Sequence, residues 1–284
     1  MVITEKFVYI HMPKTGGTFV TSVLRRIHNY SDDSASNRYA SAPWPLRAVM
    51  RRLQNRSASS VSPNSWIIDL EPKHGSCHEI PERHRNRPIL STIRNPFDWY
   101  VSQYEFGWWK RTFLYHPEAH PTPAGFAIER VLPEFIETHS HFPDLSFPEF
   151  VDLCHAATRV FNCDLGAELG LYTHSYLRFY CRETSKLISR INPEYVRSGR
   201  HKSYMFNVHF LRTNRLNEEL YEYLLSVGYR LDDVKFIPKL GKILTMGMGR
   251  RDDQNWEKYY TPSLKTSIRA KEWPVFEMFP EFDS

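Results

Sequence analysis

Cysteine is scarce in this chain. Four occur in 284 residues, Cys77, Cys154, Cys163 and Cys181, and no two are spaced as Cys-x-x-Cys. So few thiols exclude a dense disulfide framework and imply reduced cysteines. Long apolar runs are also missing, so no stretch approaches the length that crosses a bilayer. Near the N-terminus Glu5 and Lys6 interrupt the apolar residues, which excludes a signal-peptide core there. There is no EF-hand loop, no Cys/His pattern of the zinc kind, no internal repeat and no nucleic-acid-binding motif. Acidic residues number 32 against 37 Lys and Arg, a net charge of +5. That small excess fits an anionic ligand and is too weak for a nucleic-acid surface. What is abundant is core material: 41% hydrophobic and 14% aromatic residues, enough for one large α/β domain.

The informative stretch is Phe7-Val-Tyr-Ile-His-Met-Pro-Lys14-Thr-Gly-Gly-Thr18. An apolar, β-branched run ends at Met12, a Lys and two glycines follow, and Thr18 opens helical spacing at Phe19, Val20, Val23, Leu24 and Ile27. Strand, glycine turn and helix in that order make an anion-binding device. The glycines admit close backbone approach, the helix's first N–H groups point at the ligand, and Lys14 adds a full charge. The common nucleoside-triphosphate loop places its Lys after the glycines, with a hydroxyl for magnesium. Here the Lys comes first.

A second motif follows the same plan. Pro88-Ile-Leu-Ser-Thr-Ile-Arg94 reads as a short buried strand. Asn95-Pro96-Phe97-Asp98 then reads as a capped helix start, and Trp99, Tyr100, Ser102, Tyr104 and Phe106 continue the helix. Arg94 thus lies at the carboxyl end of a strand, where open α/β sheets bind ligands. An Arg fork and the Ser102 hydroxyl suit a second phosphate.

With both motifs in view, the chain resembles the sulfotransferases that use 3′-phosphoadenosine 5′-phosphosulfate (PAPS). In that superfamily a Pro-Lys-Ser/Thr-Gly-Gly/Thr-Ser/Thr loop after the first strand binds the 5′-phosphosulfate. Pro13-Lys14-Thr15-Gly16-Gly17-Thr18 matches it. A segment Arg-Asn/Asp-Pro-x-Asp/Glu-x-x-x-Ser binds the 3′-phosphate, and Arg94 to Ser102 match at every defined position. The wording around Lys14 is closest to the carbohydrate (family 2-like) branch. The resemblance is sharp over 5–28 and 72–106 and diffuse later, at Leu211–Leu220 and around Tyr259-Tyr260. It has no clean match for the late basic loop over the 3′-phosphate, for which Arg250 and Arg251 are the candidates. The resemblance implies a P-loop-type three-layer α/β fold with a central, mostly parallel sheet. It also implies in-line sulfuryl transfer to an acceptor hydroxyl of a carbohydrate, glycolipid or small metabolite. PAPS is then the co-substrate, adenosine 3′,5′-bisphosphate the product, and no metal is required. The absence of an anchor points to a cytoplasmic, bacterial enzyme.

Such a reaction needs a general base near the acceptor and positive charge at the leaving phosphate, the second supplied by Lys14 and backbone N–H groups. Family members with a catalytic His carry it in the segment Glu71-Pro-Lys73-His74-Gly75-Ser-Cys-His78-Glu79. His74, beside Lys73 and Gly75, matches best. His78 is second, and Glu71 or Glu79 is an option because some branches use a carboxylate. A nucleotide kinase or hydrolase is the rival enzyme class. The Lys position and the lack of a clear apolar strand ending in an Asp placed for magnesium speak against it. A non-catalytic nucleotide-binding protein is the third reading.

Along the chain we expect one domain with insertions at 29–64 and 111–145. The first carries a short basic helix at Leu46–Leu53. The second is rich in Pro and aromatics, holds His116, His120, His139 and His141 at irregular spacing, and would help select the acceptor. The basic cluster at Arg51, Arg52 and Arg56 reads as a solvated face. Helical spacing marks 97–110, Phe147–Arg159, Gly170–Arg182 and Asn217–Val227, with strands at 66–71, 89–94 and Val208–Arg212. The last helix is expected over Thr261–Phe279, kinked or ended by Pro274. Residues 241–255 read as a loop. Trp108 and Trp109 with Tyr104 read as core rather than as a stacking platform.

Overall fold

A computed structural model describes residues 1–28, 67–70, 73–110, 123–165, 168–241, 243 and 255–283. The expected Leu46–Leu53 helix, Glu71 and the Arg250 and Arg251 candidates lie outside the described residues. So do His116 and His120, and most of the 241–255 loop. The strands are β1 (Val2–Thr4), β2 (Val8–Ile10), β3 (Ile67–Asp69), β4 (Ile89–Ile93) and β5 (Val208–Arg212). The main helices are α1 (Gly17–Ile27), α2 (Pro96–Phe106), α3 (Pro123–Thr138), α4 (Phe147–Leu165), α5 (Leu171–Tyr180), α6 (Leu216–Ser226), α7 (Pro262–Lys271) and α8 (Trp273–Met278). The chain divides into two compact units, Met1–Ile93 with Val208–Ile243, and Arg94–Asn207 with Leu244–Ser284.

The first unit is built on a five-stranded sheet in the order β3-β1-β2-β4-β5. β1 pairs antiparallel with both β2 and β3, while β4 pairs parallel with β2 and β5. Four of the five strands therefore run one way, which makes a mostly parallel sheet. Every residue of β2 and β4 is buried, as expected for interior parallel strands. The β1–β2 hairpin is not evident in the sequence. Its turn falls at the two charges, Glu5 and Lys6, and is closed by the Thr4 N–H and hydroxyl donating to the Phe7 carbonyl at 2.9 and 3.0 Å. β3, an apolar strand, ends on Asp69. It sits at the sheet edge, with β1 between it and β2.

α1 buries Phe19, Val20, Val23 and Leu24, the face that the sequence spacing marks, against Tyr9, Leu90, Leu211 and the inner side of α6. Each fully buried Leu or Phe side chain contributes about 1.5–3 kcal/mol. Arg25 and Arg26 fall in the last turn of α1, where positive charge suits the helix dipole. Lys6 Nζ donates to the Val227 and Gly228 carbonyls just past α6, both at 2.8 Å.

In the second unit α2 begins as its sequence dictates. The Asn95 side chain accepts from the Phe97 N–H at 2.9 Å, Pro96 takes the first helical position, and Gly107, at φ 62°, ends the helix short of residue 110. Trp109 is buried, stacks on Tyr104 with centroids 5.5 Å apart, and donates Nε1–H to the Pro143 carbonyl, so it is core. α3 emerges from the Pro-rich stretch and keeps Pro133 inside it. His139 stacks on Phe135, and His141 pairs with Glu149 at 3.0 Å. The single helix expected over Thr261–Phe279 is two, α7 and α8. The break falls at Glu272, with Pro274 in the first turn of α8. Among the described residues no helix is long and apolar enough to cross a membrane.

Candidate active site

In the first unit, β2 hands over to a loop whose backbone departs from ordinary L-residue geometry twice. Lys14 has φ 65° and Gly16 has φ 96°. Gly16 can adopt that conformation at no steric cost, whereas Lys14 cannot, and strain of this kind concentrates at functional sites. Gly16 caps α1, and its carbonyl accepts from the Phe19 N–H at 3.0 Å. Gly17 is required by packing: a Cβ there would lie 1.9 Å from Cδ2 of the buried His11 ring. The first turn of α1 holds no acidic residue. Helix geometry leaves its leading N–H groups without i−4 carbonyls, and the dipole makes that end positive. Pro13, Lys14 and Thr18 are half-buried at the loop, so the motif residues gather where an anion would be received.

Thr15 faces inward. Fully buried, its hydroxyl donates to the Met12 carbonyl at 2.8 Å and lies 2.8 Å from Thr92 Oγ1, which in turn lies 3.1 Å from the Tyr9 hydroxyl. From the end of β5, Thr213 Oγ1 reaches the carbonyls of Thr15 and Ile93, each at 2.9 Å. These bonds hold the loop from beneath, so the Thr15 side chain shapes the cradle and its contribution to a ligand would come through the backbone. Sequence reading did not single out Thr213 or Thr92. Their signal was a hydroxyl within or just after an apolar strand, too common to be diagnostic.

His74 lies beside the loop through His11. Its ring meets the His11 ring edge-on at 4.6 Å, and its Nδ1 is 3.0 Å from the His11 carbonyl oxygen. A carbonyl can only accept, so Nδ1 carries the hydrogen and the neutral ring keeps its lone pair on Nε2. That is the tautomer a general base needs. His11 itself is buried. Burial, with the nearby His74 and Lys73, holds its pKa well below the usual histidine value. Sequence reading quoted His11 only as part of the motif and assigned it no role. His78 is exposed on a short helix, Cys77–Glu79, whose Cys77 is buried. The Glu79 carboxylate is committed to a capping box, accepting from the Ser76 N–H at 2.6 Å and hydroxyl at 2.9 Å.

In the second unit, Arg94 and Asp98 form an ion pair, Nε to Oδ2 at 2.5 Å, with 13% and 17% of their side chains exposed. Asp98 lies in the first turn of α2, four residues after Arg94, and Ser102, buried, is one turn further on the same face. The pair fixes the Nε edge of a guanidinium fork at the helix start. Tyr172 holds the same residue from behind: its hydroxyl donates to the Arg94 carbonyl at 2.8 Å and accepts the Arg94 N–H at 3.2 Å.

The chain is thus an α/β protein in which a strand-to-helix loop with a lysine and helix N–H groups, a set suited to an anion, lies beside a histidine whose Nδ1 carries the hydrogen. Residues 1–216 match the sulfotransferase family, and the chain belongs to it, in the family 2-like branch. Neither the curated proteins nor the solved structures give a match.

Proposed function

We propose that this sulfotransferase takes its sulfuryl group from PAPS and delivers it to an acceptor hydroxyl, with His74 as general base. The observation that carries the proposal is the fixed tautomer of His74 beside the glycine loop. His74 Nε2 takes the proton of the acceptor hydroxyl as that oxygen forms its bond to sulfur. The bond from sulfur to the 5′-phosphate oxygen breaks, and the electron pair leaves on the phosphate. Lys14 and the first N–H groups of α1 meet the charge that develops there, at a helix end already positive. Pro13, Thr15, Gly16, Gly17 and Thr18 shape that cradle, and Arg94 with Ser102 takes the 3′-phosphate. Arg250 and Arg251 stay with the proposal from the sequence alone. Family branch favours a carbohydrate or glycolipid acceptor, and the sheet would then be the centre of a P-loop-type three-layer fold.

The test is calorimetric titration with adenosine 3′,5′-bisphosphate, without added metal, on wild type, Arg94→Ala and His74→Ala. Wild type and His74→Ala should bind in the micromolar range and Arg94→Ala should not. With PAPS and an acceptor, His74→Ala should lose turnover by about 10²–10⁴-fold. No binding by wild type would remove the donor assignment. Normal turnover by His74→Ala would remove the base.

A further inference from the structure

One carboxylate of the second unit is entirely out of solvent. Glu272, at the break between α7 and α8, has 0% exposure and four donors around it. Its Oε1 accepts from the Tyr100 hydroxyl at 2.6 Å and the Tyr172 N–H at 3.0 Å. Its Oε2 accepts from the Thr173 N–H at 2.7 Å and the Thr173 hydroxyl at 2.6 Å. Tyr172 and Thr173 are the second and third residues of α5, whose cap residue, Gly170, has no side chain to offer. Glu272 therefore caps α5 from a hundred positions away in the chain. Gly170 makes room for it, since a Cβ there would lie 2.2 Å from Glu272 Oε1. The Tyr100 hydroxyl that Glu272 orients also accepts the Leu171 N–H, at 3.2 Å. Every one of the first three N–H groups of α5 ends on this carboxylate or its phenol partner.

A local Ser, Thr or Asp at position 170 would cap the same turn without burying a carboxylate. The arrangement found does something a local cap would not. It pins the first turn of α5 to the α7–α8 break and to α2, and that turn carries Tyr172, whose single hydroxyl holds both backbone polar groups of Arg94. We infer that Glu272 is a positioning residue which, through the first turn of α5 and the Tyr172 hydroxyl, sets the Arg94 guanidinium for the 3′-phosphate of the donor. The inference rests on the proposed phosphate role of Arg94.

The test compares adenosine 3′,5′-bisphosphate with adenosine 5′-phosphate by calorimetry on wild type, Glu272→Gln, Tyr172→Phe and the double variant. Glu272→Gln keeps the side-chain volume but turns an amide NH₂ toward the Thr173 N–H. Tyr172→Phe keeps the cap and removes only the link to Arg94. Each single variant should cut the preference for the bisphosphate by about tenfold, the size of one good hydrogen bond. Affinity for adenosine 5′-phosphate should not change, and the double variant should be no worse than either single one. A folded Glu272→Gln protein with wild-type preference would overturn the inference, as would losses that multiply in the double variant. If Glu272→Gln does not fold, Tyr172→Phe carries the test, and wild-type preference in it overturns the inference equally. A wild type that does not prefer the bisphosphate would overturn the Arg94 assignment itself and this inference with it, a failure visible before any variant is compared.

Discussion

The two units build their proposed anion-binding groups from different material. In the first, the groups belong to the backbone: the leading N–H groups of α1, reached over Gly16 and Gly17, with Lys14 adding a full charge. What holds them is a set of short hydroxyl bonds from Thr15, Thr92 and Thr213 beneath the loop. In the second, the group is a side chain, Arg94, aimed by Asp98 from its own helix and by Tyr172 from another. A backbone site is sensitive to shape and nearly blind to which polar side chains surround it. A side-chain site is sensitive to charge and tolerates small changes of shape.

The largest effect should come from shape in the first unit. Gly17→Ala drives a methyl group into the His11 ring, so either α1 or that ring must move, and His74 with it. We expect turnover to collapse along with a stability loss of about 1–3 kcal/mol, read by urea unfolding. Gly17→Ala with wild-type turnover would show that the close contact has no bearing on the chemistry. Next comes charge in the same loop: Lys14→Ala should lower turnover by about 10²–10³-fold, as expected for one donor at a developing charge. Arg94→Ala should cost about 1.5–3 kcal/mol of bisphosphate affinity and leave folding intact. The smaller Thr15→Val change removes a buried hydroxyl from two partners. It should cost about 1–3 kcal/mol of stability with turnover reduced far less than in Lys14→Ala. A Thr15→Val enzyme as inactive as Lys14→Ala would place that hydroxyl at the ligand instead.

Acid is the gentlest probe. In the second unit burial pulls His155, with Lys271 and Arg159 nearby, and His174 down to about 4. Unfolded, both take up a proton near 6.5, so between those values the unfolded chain binds more protons than the folded one. Stability should be complete above that window and fall as pH drops from about 6.5 toward 4. Urea midpoints at pH 7 and 5 measure the slope, and replacing both histidines by Gln should flatten it.

Much of this was legible in the sequence because it is local. The β2–loop–α1 order, the Asn95-Pro96 helix start and the place of Arg94 directly after β4 all depend on residues close in the chain. What stayed hidden depends on distance along the chain. The β1–β2 hairpin turns on two charged residues that carry no turn signature. Glu272 looks like one more helical carboxylate until α5 is brought to it. His11 and Gly17 reveal their contact only once the loop has folded back. Gly170 is mute for the same reason, since what it makes room for lies a hundred residues away.

Position 14 has a consequence for the loop's stability. A side chain at φ 65° costs the folded state about 1–3 kcal/mol that glycine would largely avoid. Glycine gives part of that back through the freer unfolded chain. Lys14→Gly should therefore be close to neutral for folding while stripping the loop of its charge. The backbone conformation at that position favours glycine over lysine. The charge that Lys14 brings to the loop therefore sits on a backbone conformation that glycine would adopt more easily.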